Sequence, residues 1–260
     1  MRITSAHNPK VRAWAELKTR RGRREQGRFL VEGPRELRRA LEAGLEPLAW
    51  LVHREHLQPE EVRLLKATPA RSYELSAAAF ARISYRENPP GLIGVFARPA
   101  HRTEDLPANP RRVLVAVEIE KPGNLGAMLR SADASGADAV LVVGQGVDPE
   151  NPNVIRASTG AVFTLPLAAV DHAAARSWLR ERGLRIVAAA PAAERVYWDV
   201  DLAAPTAFAV GAEDRGLPGD WLEAADLTVR IPMEGAADSL NASVSAALLL
   251  YEGLRQQRRG

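Results

Sequence analysis

The sequence contains no cysteine, and this absence excludes a disulfide framework and a thiolate zinc site. A chain without cysteine is compatible with a reducing compartment, and we expect the protein to be cytoplasmic. No run of apolar residues approaches the roughly 18 that a membrane-spanning helix needs. We therefore expect no membrane association, and the 46% hydrophobic and 26% charged content is typical of a globular chain with a substantial core.

Several familiar catalytic motifs are also absent. The turn after the apolar run RVLVAVEI reads KPGNLGAMLRSAD, which lacks the G-x-G-x-x-G pattern of dinucleotide-binding folds. The chain has no Walker A lysine motif and no G-x-S-x-G nucleophile turn. None of the five histidines is predicted to lie in a cluster at a strand end. Hydrolase, metal-hydrolase and ordinary nucleotide-binding chemistry are therefore disfavoured.

Lysine is scarce, because only four of the 35 basic residues are lysine and the rest are arginine. The first 39 residues hold twelve Lys or Arg and four Glu, whereas the whole chain has a net charge of only +3. A basic region on a near-neutral body indicates a polyanion-binding surface, for which arginine is well suited. A general compositional bias towards arginine is the alternative explanation.

The stretch 18–28 is too polar to be core, and Gly22 and Gly27 predict a mobile surface element. We expect its basic side chains to contact nucleic-acid phosphates. They are Lys18, Arg20, Arg21, Arg23, Arg24 and Arg28.

Short apolar runs alternate with amphipathic segments in two regions of the chain. Residues 1–97 are predicted to form a small α/β domain, and residues 98–111 form a linker with three prolines. Residues 112–260 begin with a fully apolar strand and continue in strand–helix alternation. This pattern predicts an α/β fold with an open parallel sheet and helices on both faces.

The last thirty residues contain a loop followed by a long helix. Ser239 and Asn241 are good N-cap residues for that helix. We expect its apolar stripe to enter the core; the stripe consists of Val244, Ala247, Leu248 and Tyr251.

Ligands of parallel sheets bind at the carboxyl ends of the strands. The polar residues predicted at those ends are Asn124, Arg130, Glu213, Ser239 and Asn241. One cation, one carboxylate and three neutral polar groups suit orientation and charge placement around an already activated reagent, rather than the formation of a strong nucleophile.

Three segments in this order resemble the signature motifs of the SpoU (TrmH-like) RNA ribose methyltransferases of the SPOUT class: PGNLGAMLRSADASGAD, VGAEDRGL and IPMEGAADSLNASVSAALLLYE. The resemblance covers residues 113–260 and implies a parallel sheet with a deep C-terminal trefoil knot. The N-terminal domain is similar to the ribosomal-protein-like RNA-binding domain that many members carry. One departure lies at Lys121-Pro122, where many relatives carry an Asp-Pro pair.

The resemblance implies S-adenosylmethionine as methyl donor, a ribose 2′-hydroxyl in structured RNA as acceptor, no metal, and a homodimer with the active site at the interface of the knotted domains. Ribosomal RNA is the expected substrate because an N-terminal RNA-binding domain is present. Transfer RNA is the alternative substrate, and a noncatalytic RNA-binding or ribosome-assembly protein with the same fold is the alternative function.

The resemblance also implies roles for individual residues. Asn124, Arg130, Glu213, Ser239 and Asn241 are implied to be catalytic. Because a guanidinium stays protonated to about pH 12 or beyond, we expect Arg130 to lower the pKa of the hydroxyl and to bind phosphate. Glu213 is expected to orient Asn124 or Arg130. The residues implied to bound the adenosyl pocket are Ala189, Gly211, Ile231 and Leu240.

Overall fold

The computed structural model describes residues 1–258, which form two compact units. Unit 1 comprises Met1–Ala100 and Glu150–Thr164, and unit 2 comprises His101–Pro149 and the chain from Leu165 onward. The segment Glu150–Thr164 was predicted to belong to the second domain, but it packs within unit 1. The predicted linker also has structure of its own, because it contains a short 3₁₀ helix and the buried residue Leu106.

Unit 1 is built on a five-stranded mixed sheet in the order β1-β4-β3-β5-β2, in which β5 is antiparallel to both of its neighbours. The strands are β1 (Arg2–Ile3), β2 (Arg28–Glu32), β3 (Pro47–Val52), β4 (Ser72–Leu75) and β5 (Leu92–Ala97). The helices in residues 1–100 are α1 (Pro9–Glu16), α2 (Arg20–Gln26), α3 (Pro34–Glu42), α4 (Pro59–Ala67) and α5 (Ala77–Ile83).

The basic stretch after α1 forms a helix, α2, over Arg20–Gln26. Thr19 caps the first turn of α2 by accepting a hydrogen bond from the backbone N–H of Gly22. Gly27 ends the helix in the left-handed conformation at φ 60°, which glycine adopts without steric cost. Gly22 is required by close packing, because a Cβ there would lie 2.1 Å from the carbonyl oxygen of Glu16.

The segment Glu150–Thr164 adds one helix, α7 (Pro152–Ala157), to unit 1. The Glu150 carboxylate is 2% exposed and pairs with the Arg98 guanidinium at 2.8 Å. The rings of Phe163 and Phe29 lie 6.0 Å apart. A buried ion pair and an aromatic contact therefore tie this later part of the chain to the N-terminal sheet.

Unit 2 is built on a seven-stranded sheet in the order β10-β12-β9-β11-β6-β7-β8, with every pair parallel. This confirms the predicted parallel sheet, although β8 and β10 were not anticipated. The strands are β6 (Arg112–Val117), β7 (Ala139–Val143), β8 (Leu167–Val170), β9 (Arg185–Ala189), β10 (Arg195–Val196), β11 (Thr206–Val210) and β12 (Leu227–Arg230). The helices are α6 (Pro122–Ser135), α8 (His172–Glu181), α9 (Gly219–Ala224) and α10 (Ala242–Gln257).

Helices cover both faces of this sheet, as the continuous apolar strands predicted. Successive side chains of a strand point to opposite faces. On β11, Ala207 and Ala209 belong to a core cluster with Trp178 of α8 and Trp221 of α9. The intervening Phe208 faces the other way, towards α10. No helix in residues 1–258 has the length and apolarity needed to cross a lipid bilayer.

The prediction of which face of α10 enters the core was wrong. Val244 and Tyr251 are 45% and 48% exposed, and Leu248 is half-buried. The helix carries two apolar stripes with the same spacing, and spacing alone does not show which stripe is buried. The stripe that enters the core consists of Ala242, Ala246, Leu249, Leu250 and Gly253.

The packing around Gly253 leaves no room for a larger side chain. A Cβ at this position would lie 2.6 Å from Cζ of Phe208. We expect Gly253→Val to lower the melting temperature by several degrees, because overpacking costs about 1–3 kcal/mol. Thermal unfolding followed by circular dichroism measures the change. The matched control is Gly219→Val, since a Cβ at Gly219 has no neighbour within 4 Å apart from the adjacent residues and its own helix backbone. Equal melting temperatures of the two variants would contradict the packing argument.

Candidate active site

Four neighbouring strands of unit 2 end at one edge of the sheet. β12, β9, β11 and β6 are adjacent in that order and parallel, so their carboxyl ends lie side by side. The loops that follow β6, β11 and β12 lead to Asn124, Glu213 and Asn241 respectively. The topology therefore brings together residues that are 117 positions apart in the sequence.

The side-chain amide of Asn241 joins the start of α10 to the other two residues. Its Oδ1 accepts hydrogen bonds from the backbone N–H of Ser243 at 3.0 Å and from the Ser243 hydroxyl at 2.6 Å, so Asn241 is the N-cap. Its Nδ2 donates to Oδ1 of Asn124 at 3.1 Å and to Oε1 of Glu213. Because the cap occupies the oxygen, the amide can present only donors to its partners. We call Asn124, Glu213 and Asn241 the polar cluster.

The Glu213 carboxylate is the centre of the polar cluster. It also accepts a hydrogen bond from Nζ of Lys121, and it lies close to the N-terminus of α10. A negative charge is favourable at the N-terminus of a helix. The hydrogen bond from Lys121 is the main reason that the pKa of Glu213 lies below its usual range, with further lowering by Asn124. Glu213 is therefore a carboxylate at neutral pH and acts as an acceptor.

An apolar cleft of about 620 Å³ adjoins the polar cluster. All four residues predicted to bound the adenosyl pocket line it: Ala189, Gly211, Ile231 and Leu240. Gly211 permits a tight turn here, because a Cβ would lie 2.1 Å from the carbonyl oxygen of Gly216. Small and apolar side chains leave main-chain groups accessible to a ligand along the walls of this cleft.

The other two predicted catalytic residues are placed differently. Ser239 lines the apolar cleft but is not the cap of α10. Arg130 is exposed on α6, and within residues 1–258 it has no hydrogen-bond or ion-pair partner. It follows Asn124 by six residues, which places it about 9 Å further along the helix and about 120° around its axis. Within one chain, therefore, Arg130 lies on a different face of α6 from the polar cluster.

Two of the predicted RNA-binding residues have structural contacts instead. Arg23 is 1% exposed, and its guanidinium donates to the carbonyl oxygens of Leu17 and Lys18 at 3.0 Å. The prediction of a phosphate contact for Arg23 was wrong, because the buried guanidinium holds the turn between α1 and α2. The Lys18 ammonium donates to the carbonyl oxygens of residues 82 and 84, and burial lowers its pKa. The exposed members of the stretch are Arg20, Arg21, Arg24 and Arg28.

The prediction that no histidine lies in a cluster at a strand end was wrong for His172. His172 follows β8, and its Nε2 lies 2.9 Å from a carboxylate oxygen of Glu118 at the end of β6. Trp221 Nε1–H donates to His172 Nδ1 at 2.9 Å, so a neutral imidazole carries its proton on Nε2 and donates to Glu118. Glu118 has φ 51°, which is uncommon for a residue other than glycine. These contacts hold the start of the loop that leads to Lys121. They were not foreseen from the sequence because β8 was not predicted, so the residues next to it in the sheet were unknown.

Family models match both parts of the chain. The SpoU rRNA Methylase family model matches residues 111–251, and the MRM3-like substrate binding domain model matches residues 8–94. The first match contains every residue of the polar cluster and of the apolar cleft named above. The second contains the basic stretch 18–28.

Curated relatives match along nearly their whole length. The chain is 32% identical over 249 residues to the 23S rRNA (guanosine(2553)-2′-O)-methyltransferase RlmP of Bacillus subtilis, covering 96% of this chain and 97% of that protein. It is 32% identical to the 23S rRNA (uridine(2479)-2′-O)-methyltransferase of Streptomyces viridochromogenes, covering 100% of this chain and 93% of that protein.

Solved structures agree with these matches. A structure described as an RNA 2′-O ribose methyltransferase is 50% identical with a TM-score of 0.85, covering 99% of this chain and 100% of that one. The SpoU methyltransferase AviRb from Streptomyces viridochromogenes, in complex with the cofactor AdoMet, is 30% identical with a TM-score of 0.91, covering 98% and 100%. Since its motifs, its fold and its end-to-end relatives agree, this chain belongs to the SpoU rRNA methylase family.

Proposed function

We propose that this protein transfers a methyl group from S-adenosylmethionine to a ribose 2′-hydroxyl of ribosomal RNA. The observation that carries the proposal is the convergence of the polar cluster beside the apolar cleft at one edge of the sheet. The 23S rRNA named in two full-length relatives supports ribosomal RNA as the substrate. A ribosomal substrate in turn supports a cytoplasmic location.

The apolar cleft fits S-adenosylmethionine. Like most small-molecule sites, it is lined mainly by apolar residues, with a few polar groups among them. Ala189, Ile231 and Leu240 supply apolar walls, while Glu213 and Ser239 supply polar groups at its border. When bound, the donor supplies an electrophilic methyl group on a sulfonium, so the protein needs no strong nucleophile of its own.

The residues of the polar cluster orient the acceptor. Asn124 and Asn241 are held in one arrangement by Glu213 and by the helix cap. Such preorganised groups align a hydroxyl for in-line attack without reorganising during the reaction. Glu213 is an acceptor whose pKa is lowered, which makes it a poor base. Arg130 carries the positive charge that lowers the pKa of the hydroxyl and binds the neighbouring phosphate.

Arg130 and the exposed stripe of α10 support a homodimer. Arg130 is exposed and lies on a different face of α6 from the polar cluster, so a second copy is needed to bring a guanidinium to each site. The stripe of Val244, Leu248 and Tyr251 lies along the helix that packs against α6. An apolar face at helical spacing suits association with the same face of another copy.

The knot also remains part of the proposal. The tight turn at residues 211–217, in which Gly211 lies against Gly216 and Leu217, keeps the chain after β11 compact beside the cleft. The long segment between β12 and α10, which lines the cleft, supports the same arrangement. In this proposal the cofactor cleft is bounded by the knotted part of the chain.

Methyl transfer from labelled S-adenosylmethionine tests the proposed function. We expect wild type to label 23S rRNA, and Arg130→Ala to lower kcat/KM about a hundredfold or more, because a charge that stabilises the developing alkoxide is lost. The matched control is Arg180→Ala, which removes an exposed arginine from α8. Equal labelling by wild type and Arg130→Ala would remove Arg130 from the mechanism. Labelling of transfer RNA alone would overturn the ribosomal assignment, and binding of S-adenosylmethionine without transfer to any RNA would favour a noncatalytic protein.

The oligomeric state is tested by charging the exposed stripe. Val244→Asp with Tyr251→Asp should convert a dimer to a monomer in light scattering at micromolar concentration, because buried carboxylates would oppose each other across a symmetric interface. We expect methylation to be lost with the dimer. Leu48→Asp, at a side chain 46% exposed in unit 1, is the control. A wild-type monomer with full activity would refute the dimer.

The exposed arginines of the basic stretch should set the salt dependence of RNA binding. Replacing Arg20, Arg21, Arg24 and Arg28 together by Gln should weaken binding and flatten the plot of log K against log salt. Each lost phosphate contact removes roughly 0.7–0.9 from the slope. Fluorescence anisotropy across a salt series measures it. Arg23→Gln serves as a contrast, because loss of its buried hydrogen bonds should lower the melting temperature instead. An unchanged slope in the fourfold variant would show that the four exposed arginines do not contact RNA phosphates.

A further inference from the structure

Lys121 stands at a position where local structure gives no reason for a lysine. It is the N-cap of α6, and its side chain makes no capping hydrogen bond. Ser, Thr, Asp and Asn are the residues preferred there, and a positive charge at a helix N-terminus opposes the helix dipole. When a residue is unfavourable for its local structure, a contact elsewhere in the protein is expected to compensate for it.

That contact is the Glu213 carboxylate. The Lys121 ammonium donates to Oε2 of Glu213, while Oε1 of the same carboxylate accepts from Asn241. The two oxygens are thereby assigned to different partners, and the carboxylate has a single orientation. Lys121 is the member of this group that comes from the loop between β6 and α6, so it joins that loop to the turn after β11.

Lys121 and Glu213 also line a second cavity of about 500 Å³ beside the apolar cleft. The two cavities share Ala212, Glu213 and Ala242. The second cavity has charged and polar walls, to which Asn124 contributes. The Lys121–Glu213 pair therefore lies at the border between the proposed cofactor site and the polar space next to it.

We propose that Lys121 is a positioning residue for methyl transfer, which acts by holding Glu213 in the orientation that fixes Asn241 and Asn124. The inference rests on the proposed function and adds a residue outside the five predicted to be catalytic. Lys121 acts through Glu213 and does not remove the proton of the acceptor hydroxyl. The hydrogen bond and charge of Glu213 raise the pKa of Lys121, so its amine is protonated at neutral pH.

The surrounding charges make Lys121 important for the ionisation of Glu213. Asp214 neighbours Glu213 in the same turn, Glu120 precedes Lys121, and Asp238 lines the cleft from the segment before α10. The other nearby cation, Arg215, is bound to Glu120 at 2.9 Å and to Asp214 at 3.4 Å. If Lys121 is neutralised, Glu213 loses the ammonium that pairs with it, and its pKa rises.

Loss of the Lys121 charge shifts the pH dependence of the reaction in one direction. In wild type the pKa of Glu213 is below its usual range, so the carboxylate is ionised down to low pH. In Lys121→Met the pKa moves upward, so Glu213 becomes protonated at a higher pH as the solution is acidified. A protonated Glu213 is neutral, so it accepts the hydrogen bond from Asn241 more weakly than the carboxylate does, and one of its oxygens becomes a donor. The acid limb of the pH–rate profile therefore moves to higher pH.

The experiment compares full-length wild type, Lys121→Met, Lys121→Arg and the control Lys66→Met, which removes an exposed lysine from α4. Methyl transfer to 23S rRNA is measured across pH together with the affinity for S-adenosylmethionine. We expect Lys121→Met to lower kcat about tenfold to a hundredfold, to move the acid limb to higher pH and to leave the cofactor affinity within about threefold. Lys121→Arg should restore kcat and the position of the acid limb. Lys66→Met should match wild type.

Two outcomes would overturn the positioning role. One is a Lys121→Met enzyme with wild-type kcat and an unshifted acid limb. The other is a rise in the KM for RNA with unchanged kcat and acid limb, which would make Lys121 a phosphate contact. The titration of the Glu213 carboxyl by NMR, with no RNA present, separates this inference from the proposed function. An unchanged pKa of Glu213 in Lys121→Met would overturn the pairing, whereas a wild type that transfers no methyl would overturn the proposed function alone.

Discussion

The candidate site depends on one carboxylate placed at the start of the last helix. Glu213 accepts a hydrogen bond from the side-chain amide of Asn241, which is the N-cap of that helix. The helix cap and the site are thus a single arrangement of hydrogen bonds. Backbone N–H groups at a helix N-terminus need acceptors in any case, so the fold supplies part of the orientation that the site requires. Asn124 and Lys121 then attach the loop after β6 to this arrangement.

The parallel sheet explains why such distant residues meet. β6 and β11 are adjacent and in register from Arg112 with Thr206 to Ala116 with Val210, so the loops after them begin at the same level. Along the edge of the sheet formed by the carboxyl ends of the strands, the Glu118–His172 contact lies towards β8 and the apolar cleft lies towards β12. The strands are buried on both faces, and their ends are therefore held rigidly. A site built on such ends keeps its geometry better than one built on free loops.

The sequence predicted the elements with strong apolar runs and the residues of the three motifs, but burial was less predictable. Arg23 reads as one more surface charge in a basic stretch, yet it is buried because two carbonyl oxygens lie within its reach. The two apolar stripes of α10 have equal spacing, so only packing against α6 and β11 decides between them. His172 could not be placed because β8 is short and the strand order was unknown. Each of these depends on contacts between residues far apart in the chain.

Because residues 150–164 pack within unit 1, the order of synthesis on the ribosome limits when unit 1 can complete its contacts. The nascent chain emerges from its N-terminus, and the first 100 residues are synthesised well before Glu150 and Phe163 exist. Until then Arg98 has no Glu150 carboxylate to bind, and Phe29 lacks one of its aromatic neighbours. Unit 1 therefore completes its contacts only after two strands of unit 2 have been made. During translation, therefore, the N-terminal part of unit 1 waits for residues that follow part of unit 2, whereas contiguous domains can each complete their contacts as they emerge.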